Sequence, residues 1–255
     1  MEASEGIINP DEYFVGPGDK IFISISGVEE RNFNLLINHE GFLYIPRVGV
    51  ADLRNKTLSE AKKIILTKLN ANFRNVDIYI ALADVRKIKV SLIGDVLKPS
   101  TYILTSNSRL LDLFKTSPGL KSTSDIRNVK IINRSNDTVS VDFLTFLRLG
   151  NIKNNPFLSD GDVVIIEKVD KTVFINGQVK YPATYEFRNG ESVYDLINLA
   201  GGLMYKARTD SIEVVSFDVD GIKQFSKYYS LDFLKNNFVP LKFSDQVLVR
   251  ELSEF

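Results

Sequence analysis

Alternation opens the chain. Ile21, Ile23 and Ile25 are separated by Lys20, Phe22 and Ser24, the period of a strand with one buried face. Phe33, Leu35 and Ile37 predict a second strand, with His39-Glu40-Gly41 as the turn after it, and Phe42, Tyr44 and Ile45 lead on to Pro46. The period then changes. Leu58, Ala61, Ile64, Ile65 and Leu69 recur at helical spacing. Thr57-Leu58-Ser59-Glu60 is a capping box, in which the Thr57 hydroxyl and the Glu60 carboxylate each satisfy a backbone N–H that the helix start leaves free. Val76 to Leu82 alternates again. Strands and one capped helix thus fill a first module, residues 13–86, behind a polar lead-in at 1–12.

From residue 87 the pattern repeats at a spacing of about 83 residues. Gly94, Pro99 and Tyr102 match Gly177, Pro182 and Tyr185; Asp112-Leu113 matches Asp195-Leu196; Gly119-Leu120 matches Gly202-Leu203; Val129 and Ile131 match Ile212 and Val214. Val163-Val164-Ile165 set against Val247-Leu248-Val249 implies a drift to about 84, as a loop indel would cause. Each copy predicts a strand ending at Gly, a Pro turn and a short strand. A helix capped by Ser108 or Ser192 comes next, then a strand at 128–132 or 211–217, a second helix at 141–149 or 230–235, and a closing strand. That order is the layout of a β-grasp fold, giving two modules at 87–169 and 170–255.

One turn stands at the head of all this. In Gly16-Pro17-Gly18-Asp19, Pro presets φ for the second turn position and Gly18 supplies the positive φ a type II turn needs at the third. The Asp19 side chain is then short enough to bond back to nearby N–H groups. Asp160-Gly161-Asp162 and Ser244-Asp245 echo the pattern before the closing strands of the two copies.

Composition narrows the function. Lys plus Arg and Asp plus Glu are 32 each, so the formal net charge is zero, against a nucleic-acid partner. Without cysteine there is no disulfide, thiolate or Cys-ligated metal. No run approaches the ~18 apolar residues of a membrane-spanning helix. No signal peptide is visible, and Met1 to Gly6 reads as a trimmed start.

Candidate chemistry is sparse. His39, the one histidine, reads as a solvated turn residue, and no histidine-based catalytic or metal set can be assembled around it alone. Asp160/Asp162 and Asp218/Asp220 lack the ligand spacing of an EF-hand and read as turn residues. Pro17 removes the N–H that a phosphate-binding loop needs at that point. No cofactor is expected. Tyr102, Tyr181, Tyr185 and Phe187 gather around the Pro turns of the repeats. Core and hairpin packing is the first expectation for them; a saccharide or interface contact at Tyr102 and Tyr185 is the functional alternative.

These residues resemble the outer-membrane polysaccharide export family, the Wza-like proteins. Its first domain opens with Tyr-x-x-Gly-Pro-Gly-Asp-x-hydrophobic-x-Ile, present as Tyr13 and Gly16 to Ile23; its Gly-x-hydrophobic-x-hydrophobic-Pro-x-hydrophobic-Gly turn is present as Gly41 to Gly49; Thr57 to Ala61 gives the helix start. The repeats resemble its soluble-ligand-binding β-grasp (SLBB) modules, with Gly-x-Val-x-x-Pro-x-x-Tyr at Gly94 to Tyr102 and, with the Pro at the same place, Gly177 to Tyr185. Ala200-Gly201-Gly202 keeps the family's helix end, whereas the first copy reads Ser117-Pro118-Gly119. The resemblance implies an α+β chain: an export domain of mixed strands and one helix, then two tandem SLBB modules. It implies a non-enzymatic, periplasmic, outer-membrane-associated part of a capsule or exopolysaccharide translocon. The implied partners are the exported polysaccharide, an inner-membrane polysaccharide co-polymerase (Wzc-like) and further copies of the chain in a ring, with a monomer expected for this stretch alone. The family's lipidated cysteine and C-terminal amphipathic helix are not in this sequence, so anchor and pore are expected to have been removed or to come from another protein. The alternative is a saccharide- or small-ligand-binding β-grasp scaffold or sensor without channel activity. An enzyme acting on polysaccharide is the least supported reading. In either leading reading Gly16, Pro17, Gly18 and Asp19 serve as a structural turn.

Overall fold

The computed structural model of the chain describes residues 7–27, 30–217 and 224–252. Asp218 and Asp220 lie outside the described residues. By contacts the chain forms two compact units. One runs through residue 90 and takes in 102–113 and 157–161; the other comprises the remainder.

The first unit is built on β1 (Lys20–Ser26), flanked antiparallel by β2 (Arg31–Leu36) and, from further along the chain, by a third strand. A hairpin of β3 (Phe42–Ile45) and β4 (Gly49–Asp52) follows, then helix α1 (Leu58–Asn72) and that third strand, β5 (Asp77–Asp84), in the order β2-β1-β5. Register explains the core. Ile21 sits between Leu35 and Leu82, and Ile23 between Phe33 and Ile80, so the alternation in three strands turns one apolar face the same way. Leu58, Ala61, Ile65 and Leu69 of α1 join that core, as do Leu43 and Ile45 of the hairpin. Each buried Ile or Leu contributes about 1.5–3 kcal/mol. The predicted capping box closes α1: Thr57 N–H donates to Glu60 Oε2 at 2.9 Å and Glu60 N–H to Thr57 Oγ1 at 3.3 Å.

The β-grasp copies follow. The first comprises β6 (Lys87–Gly94), β7 (Ser100–Thr105), α2 (Leu110–Thr116), β8 (Val129–Ile132), β9 (Thr138–Val141), α3 (Phe143–Leu149), a 3₁₀ turn at Ile152–Asn154 and β10 (Val163–Ile166). The second comprises β11 (Thr172–Gly177), β12 (Ala183–Glu186), α4 (Val193–Leu199), β13 (Ile212–Phe217), β14 (Gln224–Tyr229), α5 (Leu231–Asn236) and β15 (Gln246–Val249). Their sheets have equivalent orders, β7-β6-β10-β8-β9 and β12-β11-β15-β13-β14. In each, the closing strand runs parallel to the first strand of its copy and antiparallel to the strand on its other side.

Register corrects two sequence expectations. Val164 faces Leu92 and Ile131, and Val247 faces Ile175 and Val214, so the closing strands keep the 83-residue spacing rather than drifting to 84. The true indel lies between: the second helices are capped by Asp142 and Ser230, 88 positions apart. Ser108 does not cap α2. It lies at the turn out of β7, its N–H bonded to Thr105 O, while Arg109 N–H takes the Asp112 carboxylate at 2.8 Å. Arg109 therefore occupies the place held by Ser192, whose N–H takes Asp195 at 2.8 Å. Strands β4, β9 and β14 were not predicted. β9 and β14 are mostly exposed edge strands without alternation, and only pairing with β8 and β13 defines them.

Candidate functional site

The Gly16–Asp19 segment folds as its residues dictate. Asp19 N–H donates to Gly16 O at 3.1 Å across the turn, and Gly18 holds φ at +99°. The Asp19 carboxylate bonds back to Gly16 N–H at 2.8 Å. The side chain is fully buried, and sequence reasoning missed what that requires. Oδ1 accepts from the Tyr13 hydroxyl at 2.8 Å and from Arg86 N–H at 2.7 Å; Oδ2 accepts from Arg86 Nη1 at 2.8 Å as well as from Gly16. A carboxylate out of water must have its charge and its lone pairs met, and here both are. The Tyr13 proton points to Asp19, so Ser106 Oγ, 2.6 Å away, donates to the Tyr13 oxygen. Burial pushes the Tyr13 hydroxyl above its ordinary pKa against the Ser106 hydrogen bond, and the Asp19 charge adds to the rise. Tyr13 therefore stays a donor across the physiological range.

The later echoes share the turn but not the clamp. Asp245 N–H donates to Lys242 O at 3.1 Å and its Oδ2 accepts from Lys242 N–H at 2.9 Å, the same exchange as at Asp19 and Gly16. Ser244 takes φ +66° and Gly161 φ +89°, where Gly18 takes +99°. Asp245 Oδ1, however, has no partner among the described residues. The glycines that open the β-grasp signatures are set by close approach. A Cβ on Gly94 would lie 2.0 Å from Ile166 O, and one on Gly177 1.9 Å from Val249 O. Asp95 N–H and Gln178 N–H then donate to those same carbonyls, at 2.7 and 2.8 Å.

The family model described as "Polysaccharide biosynthesis/export protein" matches residues 8–83, and the SLBB domain model matches residues 172–223. Over these two stretches the chain is similar to the outer-membrane polysaccharide export proteins. Two curated proteins, both polysialic acid transport protein KpsD of Escherichia coli, are 26% identical over 230 residues, covering 88% of this chain and 39% of their own length. The chain thus spans about two-fifths of the relatives it matches. Residues 8–83 match the export domain, and the equivalent sheet order and register make β6–β10 a second copy of the β-grasp fold of β11–β15.

A buried arginine joins the two SLBB modules. Arg127, 1% exposed, donates through Nε and Nη2 to Asp142 Oδ2 at 3.0 and 2.8 Å, all within the first module. It also reaches the second, with Nη1 on Glu186 O at 2.8 Å and Nη2 on the Glu191 carboxylate. Burial works against its charge, but its hydrogen bonds to the Asp142 and Glu191 carboxylates outweigh that and raise its pKa. Asp142 meanwhile caps α3 through Thr145 N–H at 3.0 Å. The counterpart of Arg127 at the 83-residue spacing is Asp210, an exposed residue paired to Arg208. The repeats have therefore diverged where they meet. No local pattern marks Arg127; the departure from the repeat is the signal that would have found it.

The remaining candidates are placed as follows. Tyr185 is 3% exposed, in the core of the second SLBB module, with its hydroxyl donating to Tyr181 O at 2.7 Å. Its ring offers no open face for a sugar; the turn presents Tyr181 instead, half exposed, with the Arg148 guanidinium 4.0 Å from its ring centre. Tyr102 is half-buried on β7. His39 lies exposed in the turn before β3, where Asn38 Oδ1 takes the N–H groups of Glu40 and Phe42. Asp160 accepts Lys89 N–H at 2.8 Å. Among the described residues no three His, Cys, Asp or Glu side chains gather as a metal site, and no helix is long and apolar enough to cross a membrane.

Proposed function

We propose that this chain is a periplasmic, outer-membrane-associated component of a capsule or exopolysaccharide export machine and that it acts without bond-making chemistry of its own. The observation that carries the reading is an export domain followed by two β-grasp repeats, in a chain 26% identical over 230 residues to a polysialic acid transport protein. Physics supports assembly. Each sheet leaves outer strands unpaired along one edge, β2 and β5 in the first and β12 and β14 in the last, and such edges favour pairing with a neighbour. Modules of this size also have small cores that gain from packing on a neighbour. In this reading several copies line a conduit, an inner-membrane co-polymerase feeds it, and the polymer passes through unaltered. Gly16, Pro17, Gly18 and Asp19 act by holding the export domain together rather than by touching polymer.

Deleting the gene is expected to abolish surface polysaccharide and leave polymer inside the cell envelope, and the full-length gene to restore it. Normal surface polymer in the deletion strain would sink the proposal. Light scattering of the full-length protein in detergent tests the ring: a monomer at high concentration counts against it.

A further inference from the structure

The first compact unit holds a cleft of about 280 Å³, close to the small end of ligand sites, roughly 300 Å³ upward. We propose that it binds a single saccharide unit. This rests on the export reading, because it names what the chain would touch of its cargo.

The lining carries the inference. Phe14 and Phe157 both border the cleft and are 57% and 50% exposed. Aromatic faces of this kind pack on the C–H face of a pyranose. Planar polar groups stand beside them. Arg109 lies on Phe157, its guanidinium carbon 3.6 Å from the ring centre, so its donors are held in a set orientation. Arg86 spends Nη1 on Asp19 and Phe14 O, while its Nη2 donates to no described residue. Asn107 lines the same wall, and its buried Oδ1 has no partner among the described residues. Glu12 adds an acceptor. Guanidinium, amide and carboxylate groups offer paired donors and acceptors that match neighbouring hydroxyls. Glu12 among the arginines also sets the cleft apart from a site for a phosphate dianion. The Asp19 clamp fixes Arg86, so the family's turn motif would serve the cleft from behind.

The test is ¹H–¹⁵N NMR of the whole chain with glucose, galactose, N-acetylglucosamine, glucuronic acid and N-acetylneuraminic acid, each at millimolar concentration. At least one is expected to shift the amides of Phe14, Arg86, Asn107 and Phe157 selectively. Affinity is expected to fall about ten-fold in Phe157→Ala and in Arg109→Gln, and to be unchanged in Tyr181→Ala, whose ring is at the SLBB junction. Spectra of the variants show directly whether each is folded, and Arg109→Lys repeats the test without shortening the stem. No selective shift with any sugar, or shifts that survive in both cleft variants, overturns the proposal. Loss of export on gene deletion together with a silent cleft would overturn this inference alone; export that persists in the deletion strain overturns the export reading and leaves the cleft to the NMR result.

Discussion

Asp19 and Arg86 stand 67 residues apart in the chain and meet at 2.8 Å, with the aspartate fully buried and the arginine about one-quarter exposed. Arg86 also gives its backbone N–H to the same carboxylate. The chain just past the export domain is thereby tied to the turn near its start. Asp19→Asn keeps the shape and removes the charge, leaving Arg86 without its counter-ion. A loss of about 3 kcal/mol is expected, the low end for breaking a buried pair, measured by urea unfolding. Tyr13→Phe removes one donor and is expected to cost about 1–2 kcal/mol. A double-mutant cycle of Asp19→Asn with Arg86→Met should show strong coupling; simple additivity would disprove the clamp.

Gly94→Ala and Gly177→Ala are expected to be far more damaging than a helix or loop glycine change. Their Cβ atoms would collide with the Ile166 and Val249 carbonyls, which belong to the strands that pair with them. Backbone cannot move aside without breaking the parallel ladder. A loss above ~4 kcal/mol, or no soluble protein, is expected for each. Wild-type unfolding midpoints would show the close approach to be unnecessary.

Arg127→Ala removes the shared guanidinium and leaves the 3% exposed Asp142 with only the longer Arg188 contact, 3.5 Å, as counter-ion. The expected cost is about 3–5 kcal/mol. A second consequence distinguishes the junction from ordinary core. Calorimetry is expected to show the SLBB modules unfolding less cooperatively, with the transition broadened or split, because Arg127 binds Glu186 O and Glu191 from the neighbouring module. One sharp transition at a lower temperature would mean that Arg127 stabilises only its own module.

Glu186 bears on pH. Burial raises its carboxyl above the ordinary pKa, partly opposed by backbone hydrogen bonds and reinforced by the Asp125 charge. A carboxyl raised in the folded state favours folding most below its unfolded value of 4.5 and loses that contribution as pH rises through the folded value. Glu186→Gln is therefore expected to raise Tm slightly at pH 7, with the gain vanishing toward pH 4. Thermal melts at the two pH values check it, and a variant less stable at pH 7 would contradict it. The Arg127 contact is to the backbone carbonyl, so the substitution leaves that bond in place.

The local pattern determined much of this protein. The Ile21-Ile23-Ile25 alternation, the Thr57/Glu60 capping box and the left-handed Gly18 are each encoded by residues within a few positions of one another. The duplication was equally legible, since matched spacing survives wherever the same fold must be built twice. Two glycines recurring at 94 and 177 were readable as a pattern, but the carbonyls that demand them came only with strand pairing. Tertiary structure alone decided what buries Asp19: Arg86 and Ser106 reach it and Tyr13 from far along the chain, and no local period marks a residue whose partner is distant. The same holds for Arg127, whose place in the repeat is taken by an exposed Asp210, and for Tyr185, whose matched spacing with Tyr102 did not reveal that its ring is enclosed. Short-range geometry is written in neighbouring side chains. Charge satisfaction and ring exposure depend on which distant segments the fold brings together.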